Sequence, residues 1–156
     1  MTSDSTDDKN VHLRATSRSL PIALLRARER VMGPIRAMLS DAGVTEQQWR
    51  VLRVLDEHGP SDATEIARAA CLLMPSLTRI LQVLETKGLC SRSTHPSDKR
   101  RTIVEINDKG RTLISDNIPE SNTIFATLEE EFGAEKLDQL LDLLNDLVAA
   151  PESNRR

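Results

Sequence analysis

The chain has 156 residues, is rich in Leu, Ile, Val and Ala, and carries a formal net charge of -3. This length suits one domain with a sizeable core and leaves room for a second small subdomain. No apolar run approaches the length of a membrane span, and the N-terminal stretch MTSDSTDDKN lacks the basic and apolar regions of a secretory signal, so we expect a cytoplasmic protein.

Two cysteines bear on metal and redox chemistry. Cys71 and Cys90 do not have metal-ligand spacing, and two thiols alone do not make a disulfide framework. We expect both to be reduced, with neither a metal site nor a cofactor. A redox-responsive regulator that uses Cys71 is an alternative, although nothing in the flanking sequence obviously activates that thiol.

Charge is segregated along the sequence. Residues 87–101 carry a net charge of +4, whereas residues 116–152 carry -9. Affinity for a phosphate backbone depends on local cations, so the first segment suits phosphate and the second repels it.

The N-terminal part predicts a tail and one long helix. Residues 1–18 are polar, acidic and aperiodic, which is typical of a disordered tail. Ser19 can cap the helix that follows, LPIALLRARERVMGPIRAML, whose apolar residues recur at helical spacing. Gly33 and Pro34 predict a bend in this helix.

Two capping boxes predict the next two helices. In VTEQQWRVLRVLDEHG, Thr45 and Gln48 have the spacing of such a box, and Gly59 is a natural stop for helix two. Asp62 and Glu65 repeat the pattern at the start of a short third helix, DATEIARAA.

A fourth helix, MPSLTRILQVLETKG, has Pro75 in its first turn and ends at Gly88. One stripe is apolar and predicts core positions: Leu77, Ile80, Leu81 and Leu84. The opposite side presents Pro75, Arg79, Gln82, Val83 and Thr86. Two short helices, the second with a polar face, are typical of a helix-turn-helix.

The period then changes to that of a hairpin. LCSRST and RTIVEI are β-like, and the basic segment between them, residues 95–100, suits an exposed tip. A helix-turn-helix followed by such a hairpin is a winged helix. Its predicted bounds are residues 43–107.

Two helices are predicted after the wing. Asn107 is a plausible N-cap for residues 108–132, which must kink near Pro119, and AEKLDQLLDLLNDLVA forms the last helix. Its apolar stripe comprises Leu137, Leu140, Leu141, Leu144, Leu147 and Val148. These faces need a partner, so we assign residues 19–42 and 108–150 to a helical dimerisation region. The predicted fold class is mainly α (α+β), a winged helix-turn-helix with dimerisation helices from both termini.

In this order and spacing, TEQQWRVL, SLTRILQVLETKGL and SRSTHPSDKRRTIVEINDKG resemble the MarR family of bacterial winged-helix transcriptional regulators over residues 20 to 148. IALLRARERVMGPI with TEQQWRVLRVL further resembles the branch that represses homoprotocatechuate degradation operons. The resemblance implies a homodimer, a pseudo-palindromic operator in double-stranded DNA, and a small aromatic carboxylate effector. One departure is Asn107, where the family often has Thr, but Asn caps equally well.

By resemblance, Asp98 and Arg100 match the family's Asp-x-Arg wing motif, in which Arg enters the minor groove and Asp orients neighbouring Arg side chains. A planar, weakly hydrated guanidinium suits that narrow electronegative groove. Arg92, on the facing strand, is the expected partner of Asp98. The alternative is a surface ion pair worth ~0 to 1 kcal/mol.

The polar face of the fourth helix supplies the other candidate contacts, because Arg with guanine and Gln with adenine are natural pairings in the major groove. Aromatic residues make up only 2% of the chain, so stacking on single strands is poorly supported and duplex DNA is the expected partner. The predicted DNA contacts are Ser76, Thr78, Arg79, Gln82, Arg92, Asp98, Lys99, Arg100 and Arg101.

An aromatic carboxylate needs a cation and an apolar wall. Trp49 and Arg53 are spaced i, i+4 on helix two beside Arg50, and Arg28 with Met32 offers a similar pair on helix one. We predict that these five residues form the ligand site. The alternative is that Trp49 belongs to the core and the arginines form surface ion pairs.

Other function classes have less support. The sequence has no Gly-rich phosphate loop, Ser nucleophile elbow or zinc-helix motif, and His12, His58 and His95 are scattered, so we do not expect an enzyme. A helical adaptor would explain the terminal helices but not the basic hairpin. We therefore expect a repressor of an aromatic-catabolism operon that a small aromatic acid releases from DNA.

Overall fold

The computed structural model describes residues 15–151. After a short 3-10 helix, Thr16–Arg18, these residues form helices α1 (Leu20–Asp41), α2 (Glu46–His58), α3 (Ala63–Ala69), α4 (Met74–Thr86), α5 (Asp108–Phe132) and α6 (Ala134–Ala149), with strands β1 (Ser61–Asp62), β2 (Cys90–Thr94) and β3 (Thr102–Ile106). The chain divides into two compact units, residues 1–33 and 34–156. The predicted fold class is confirmed: the protein is mostly helical with a small antiparallel sheet.

Both predicted capping boxes are present. The Thr45 N–H donates to Gln48 Oε1 at 3.1 Å, and the Gln48 N–H donates to Thr45 Oγ1 at 3.2 Å. The matching bonds between Asp62 and Glu65 measure 2.8 and 2.9 Å. Each box satisfies two backbone donors that a helix start leaves unpaired, so α2 and α3 begin where the sequence indicated.

The sheet has the strand order β1-β3-β2, with both pairs antiparallel. In the predicted hairpin, Cys90 faces Ile106 and Thr94 faces Thr102. The sequence did not indicate β1, which is only two residues long and pairs Ser61 with Val104. This third strand attaches the hairpin to the segment that leads into α3.

The core of the 34–156 unit is built from the apolar faces of its helices and the start of the hairpin. The predicted stripe of α4 is confirmed for Leu77, Leu81 and Leu84, whereas Ile80 is half-buried. Side chains at most 2% exposed come from seven elements and from the turns after α3 and α4: Met38, Leu39, Val51, Leu52, Leu55, Ile66, Ala70, Leu77, Leu84, Leu89, Cys90, Val104 and Ile114.

Gly110 lets α5 approach this core. A Cβ at this position would overlap the Leu89 carbonyl oxygen and lie 2.7 Å from Ile106 Cγ1. Only a residue without a side chain fits such a close approach. The first turn of α5 is therefore packed directly on the base of the hairpin.

Two local expectations change. Within the predicted tail of residues 1–18, Thr16–Arg18 form a 3-10 helix, and residues 1–14 lie outside the described part. Asn107 occupies the N-cap position of α5, but its side chain makes no cap hydrogen bond; Nδ2 donates instead to the Gly88 carbonyl at 3.2 Å. Asn107 is therefore at the predicted N-cap position, but its side chain does not form the expected cap hydrogen bond.

The structure assigns α1 and α5 as single helices that contain Pro34 and Pro119. The bends expected at these prolines stay predictions. No single helix within residues 15–151 is long and apolar enough to cross a membrane. Together α3 and α4 reach the necessary length and apolar composition, but a bend of 105° separates them.

Candidate nucleic-acid interface

The helix-turn-helix consists of α3 and α4, which meet at 105°. This angle lies within the usual range of roughly 90 to 120° for such a pair. The turn between them contains Cys71 at φ 53°, a left-handed conformation that non-glycine residues rarely adopt. Pro75 lies in the first turn of α4, where its missing N–H costs no helical bond.

The outer face of α4 is polar and open to solvent. The four residues of α4 that were predicted to contact DNA are all exposed: Ser76, Thr78, Arg79 and Gln82. The Thr78 hydroxyl donates to the Met74 carbonyl at 3.0 Å, so its oxygen still has lone pairs for another partner. Met74 and Val83 are exposed apolar residues on this helix. The opposite stripe holds α4 in the core, which fixes its direction.

Asp98 organises the tip of the wing. Its Oδ1 accepts from the Arg100 N–H at 3.0 Å, and its carbonyl oxygen accepts from the Arg101 N–H at 3.0 Å. The His95 N–H donates to the Arg101 carbonyl at 2.9 Å. Within the described residues, the Asp98 carboxylate hydrogen-bonds to backbone and to no arginine side chain. It therefore shapes the loop that carries Lys99 and Arg100.

Arg101 joins the wing to the helix-turn-helix. Its guanidinium forms an ion pair and hydrogen bond with Asp62 Oδ2, while Asp62 Oδ1 accepts from the Glu65 N–H. The hydrogen bond from the Glu65 N–H is the main cause that lowers the pKa of Asp62, and the hydrogen bond from Arg101 is the second cause. Asp62 in turn raises the pKa of Arg101. One carboxylate thus caps α3 and holds the wing.

Arg92 makes a second connection, and here the sequence prediction was wrong. Its expected partner was Asp98, but it forms an ion pair with Glu85 in the last turn of α4, and this pair raises the pKa of Arg92. The strand register explains the difference, because Arg92 faces Val104 in mid-hairpin and lies away from the tip.

Two of the wing's cations are left without an acidic partner. Among residues 15–151, no carboxylate forms an ion pair with Lys99 or Arg100, and both side chains are exposed.

The nine predicted DNA-contact residues all lie on α4 or the wing. Sequence reasoning missed Asp62 and Glu85, the two acids that secure the wing; only the capping role of Asp62 had a sequence signal.

Three of the predicted effector residues lie on α2 in the 34–156 unit. Trp49 and Arg50 are half-buried, and Arg50 Nε is buried with no hydrogen-bond partner among the described residues. Arg53 is exposed and lies 4.0 Å from Asp56 in an ion pair. Arg50 is the member of this group with an unused buried donor.

The other two predicted effector residues lie on the part of α1 that belongs to the 1–33 unit. Arg28 is exposed and pairs with Glu29 at 3.7 Å, and Met32 is half-buried. Their membership of the ligand site stays a prediction.

The two cysteines differ in accessibility. Cys71 is exposed and Cys90 is buried, and both are free thiols. Burial is the main cause that raises the pKa of Cys90 to about 11, which keeps it a protonated thiol at neutral pH. No group of His, Cys, Asp and Glu within residues 15–151 is arranged to hold a metal ion.

The part of the chain that contains the helix-turn-helix and most of the wing matches the model of a known family. The family model described as the MarR family matches residues 44–102. The transcriptional regulator FarR of Neisseria gonorrhoeae is 40% identical over 130 residues, which cover 83% of this chain and 89% of the relative. The homoprotocatechuate degradative operon repressor of Escherichia coli is 36% identical over 137 residues, which cover 88% and 93%.

Two solved structures share the architecture. NadR in complex with 4-hydroxyphenylacetate has a TM-score of 0.75 at 38% identity and covers 87% of this chain and 96% of its own. The repressor CouR bound to a 23-mer DNA duplex has a TM-score of 0.75 at 32% identity and covers 88% and 99%. Relatives of this identity and coverage show that the chain belongs to the MarR family and is a transcriptional regulator, not an enzyme.

Proposed function

We propose that the protein is a homodimeric repressor of an aromatic-compound catabolism operon, and that a small aromatic acid releases it from a pseudo-palindromic operator. The repressor of Escherichia coli acts on a homoprotocatechuate degradative operon, and NadR binds 4-hydroxyphenylacetate. These two aromatic acids support an effector with one ring and one carboxylate.

The observation that carries DNA binding is the polar face of α4 beside a wing tip whose cations are exposed. Ser76 and Thr78 are positioned to contact phosphates, while Arg79 and Gln82 are the residues for base edges in the major groove. In the proposed complex, Lys99 and Arg100 contact the adjacent DNA backbone and minor groove. Arg92 and Arg101 hold the wing and, with Asp98, complete the interface. CouR, of the same fold, is bound to duplex DNA.

Exposed apolar side chains support dimerisation. On α5 and α6 they include Ile118, Phe125, Phe132, Leu140, Leu141, Leu143, Leu147 and Val148. At the start of α1 they are Leu20, Leu24 and Leu25. Apolar area of this extent is costly in water, and a second copy of the chain is the partner that would cover it. Two copies of the chain also present two α4 helices to DNA, one for each half of a pseudo-palindromic operator.

Arg50 is the residue we assign to the effector's carboxylate. A buried guanidinium N–H without an acceptor costs free energy, and an arriving carboxylate would satisfy it with a charge-assisted bond. Trp49, half-buried on the same helix, is the residue we assign to the apolar wall of the site. Arg53, also on α2, remains a further member of the proposed site.

The experiment titrates 4-hydroxyphenylacetate into a complex of the protein with duplex DNA from its own promoter region. Arg50→Ala should raise the acid concentration that releases half of the DNA by roughly tenfold or more, because a hydrogen bond to a charged group contributes ~1.5 to 3 kcal/mol. DNA affinity without acid should be unchanged.

Arg111→Ala is the matched control, because it removes an exposed arginine whose ion-pair partners, Asp108 at 3.0 Å and Glu105 at 4.0 Å, lie on α5 and β3. This control should release DNA at the wild-type acid concentration. Release of the Arg50→Ala complex at that same concentration would show that Arg50 does not bind the effector.

A further inference from the structure

A cleft of about 180 Å³ lies at the C-terminal end of α4. Its walls come from the turn between α1 and α2, the turn after α4 and the first half of α5, all within the 34–156 unit. None of the predicted effector residues lines it. Its lining combines two lysines, Lys87 and Lys109, with the apolar residues Val44, Leu89 and Leu113.

The two lysines bring positive charge that no acid in the described structure neutralises. Lys87 Nζ donates to the Gly43 carbonyl at 2.6 Å, and Lys109 Nζ donates to the Lys87 carbonyl at 2.8 Å. An ammonium group has three donors, and each lysine uses one of them here. Among residues 15–151 neither lysine forms an ion pair with a carboxylate. The cleft therefore has spare donors and an uncompensated charge.

The floor of the cleft is apolar. Leu89 is 2% exposed and Val44 is 6% exposed, so both are fixed parts of the core, and Leu113 is half-buried. An apolar cavity of roughly 150 Å³ is large enough for a benzene ring. The volume and lining of this cleft thus match a ligand of about one ring that carries a negative charge at one end.

We propose that this cleft binds a small organic carboxylate, with its charge between the ammonium groups of Lys87 and Lys109 and its apolar part on Leu89, Val44 and Leu113. The site is separate from the one assigned to Arg50 and does not depend on it. A bound carboxylate would accept from the donors that the two ammonium groups do not use for the carbonyls of Gly43 and Lys87. Because Lys87 directly follows α4, occupancy would change how the end of that helix is held.

The test uses methyl and indole NMR spectra of the full-length protein, with benzoate as the probe. Benzoate should shift the methyl signals of Val44, Leu89 and Leu113. Benzyl alcohol, which has the ring without the charge, and inorganic phosphate, which has the charge without the ring, should each bind at least roughly tenfold more weakly. Equal binding of either compound would overturn the proposal.

Variants assign the charge. Lys87→Met and Lys109→Met should each weaken the benzoate-dependent methyl shifts by roughly tenfold, while Arg111→Met, which removes a cation from the same helix as Lys109, should not. Lys109 is exposed in the first turn of helix α5, so its variant keeps the test valid if Lys87→Met fails to fold. Unchanged benzoate affinity in the lysine variants would mean that the lysines only bind helix-end carbonyls.

The chain has one Trp, so the indole N–H of Trp49 reports separately on the α2 site. A shift at Trp49 without shifts at Leu89 and Leu113 would leave the proposed function standing and overturn the second site. Shifts at Leu89 and Leu113 that the lysine variants abolish would support the second site whatever happens at Trp49.

Discussion

Asp62 shows how one side chain can connect two elements. Its two carboxylate oxygens have different partners: the backbone of Glu65 at the start of α3, and the guanidinium of Arg101 at the end of the wing loop. A helix start favours a negative charge, and a guanidinium favours the same charge. The position therefore needs a carboxylate, whereas a cap alone would accept Ser, Thr or Asn.

This division of tasks predicts an order among variants. Asp62→Asn retains an acceptor for the Glu65 N–H and loses the ion pair, so it should lower the free energy of unfolding less than Asp62→Ala, which loses both. Urea unfolding at neutral pH measures this order. Equal losses in the two variants would mean that the ion pair accounts for the whole effect and the cap for none.

The same variants give a pH dependence. The pKa of Asp62 is lowered in the folded protein, so its contribution to stability is present above the usual Asp pKa of about 4 and is lost as pH falls through the folded value. The difference in unfolding free energy between wild type and Asp62→Asn should therefore shrink below about pH 4. A difference that stays constant from neutral to acid pH would contradict this assignment.

At the level of helices and strands, the ends of elements were predictable and their connections were not. Capping boxes join residues three positions apart, so Thr45 with Gln48 and Asp62 with Glu65 could be read from the sequence. The bond between Asp62 and Arg101 spans 39 positions, and no local pattern encodes it. For the same reason β1, whose pairing needs a distant strand, was missed.

In the candidate DNA interface, too, local patterns were predictable from the sequence and contacts between distant residues were not. The exposed face of α4 followed from helical period alone, and the hairpin followed from its change of period. Asp98 was predicted as the partner of Arg92 because the two lie on facing sides of the hairpin, whereas packing of β2 beside α4 brings Glu85 to Arg92. The carbonyl contact of Asn107 was equally hidden, because it depends on how α5 meets the turn after α4.

The apolar face of α6 carries the prediction about assembly. Leu141 is 50% exposed and Leu147 is 49% exposed in the single chain. Burial of such a side chain contributes roughly 1.5 to 3 kcal/mol, so replacing both with Asp should weaken a dimer at least about a hundredfold. Sedimentation velocity at micromolar concentration should show a dimer for wild type and a monomer for this variant.

Leu73→Asp is the control for that measurement, because Leu73 is 78% exposed but lies in the turn before α4. It adds one Asp, where the α6 variant adds two, away from α5 and α6, and it should leave the dimer intact. A wild-type protein that sediments as a monomer at this concentration would refute the proposed assembly.

Across the whole molecule, charge separates the candidate DNA interface from the C-terminal helices. The net charge is +4 over residues 87–101 and -9 over residues 116–152, so the overall charge of -3 hides a strongly basic segment. Phosphate binding is favoured at the wing and opposed along α5 and α6. The wing is also organised, because Asp98 shapes the loop that carries Arg100, which a simple basic patch would not require.

The central claim is that the wing binds DNA as an ordered loop. The measurement is a binding titration of the operator and an unrelated duplex at several salt concentrations, with wild type, Arg100→Ala, Asp98→Asn and Asp98→Ala. Arg100→Ala should bind more weakly and lower the log-log salt slope by about 0.9 per protomer. Asp98→Asn, which keeps an acceptor oxygen, should bind at least as tightly as wild type.

Asp98→Ala decides between an ordered loop and a basic patch, because the two accounts predict opposite signs. It removes the acceptor for the Arg100 N–H, so the ordered loop predicts weaker operator binding even though a negative charge is lost. Tighter binding of Asp98→Ala to both duplexes, as charge counting requires, would contradict the account.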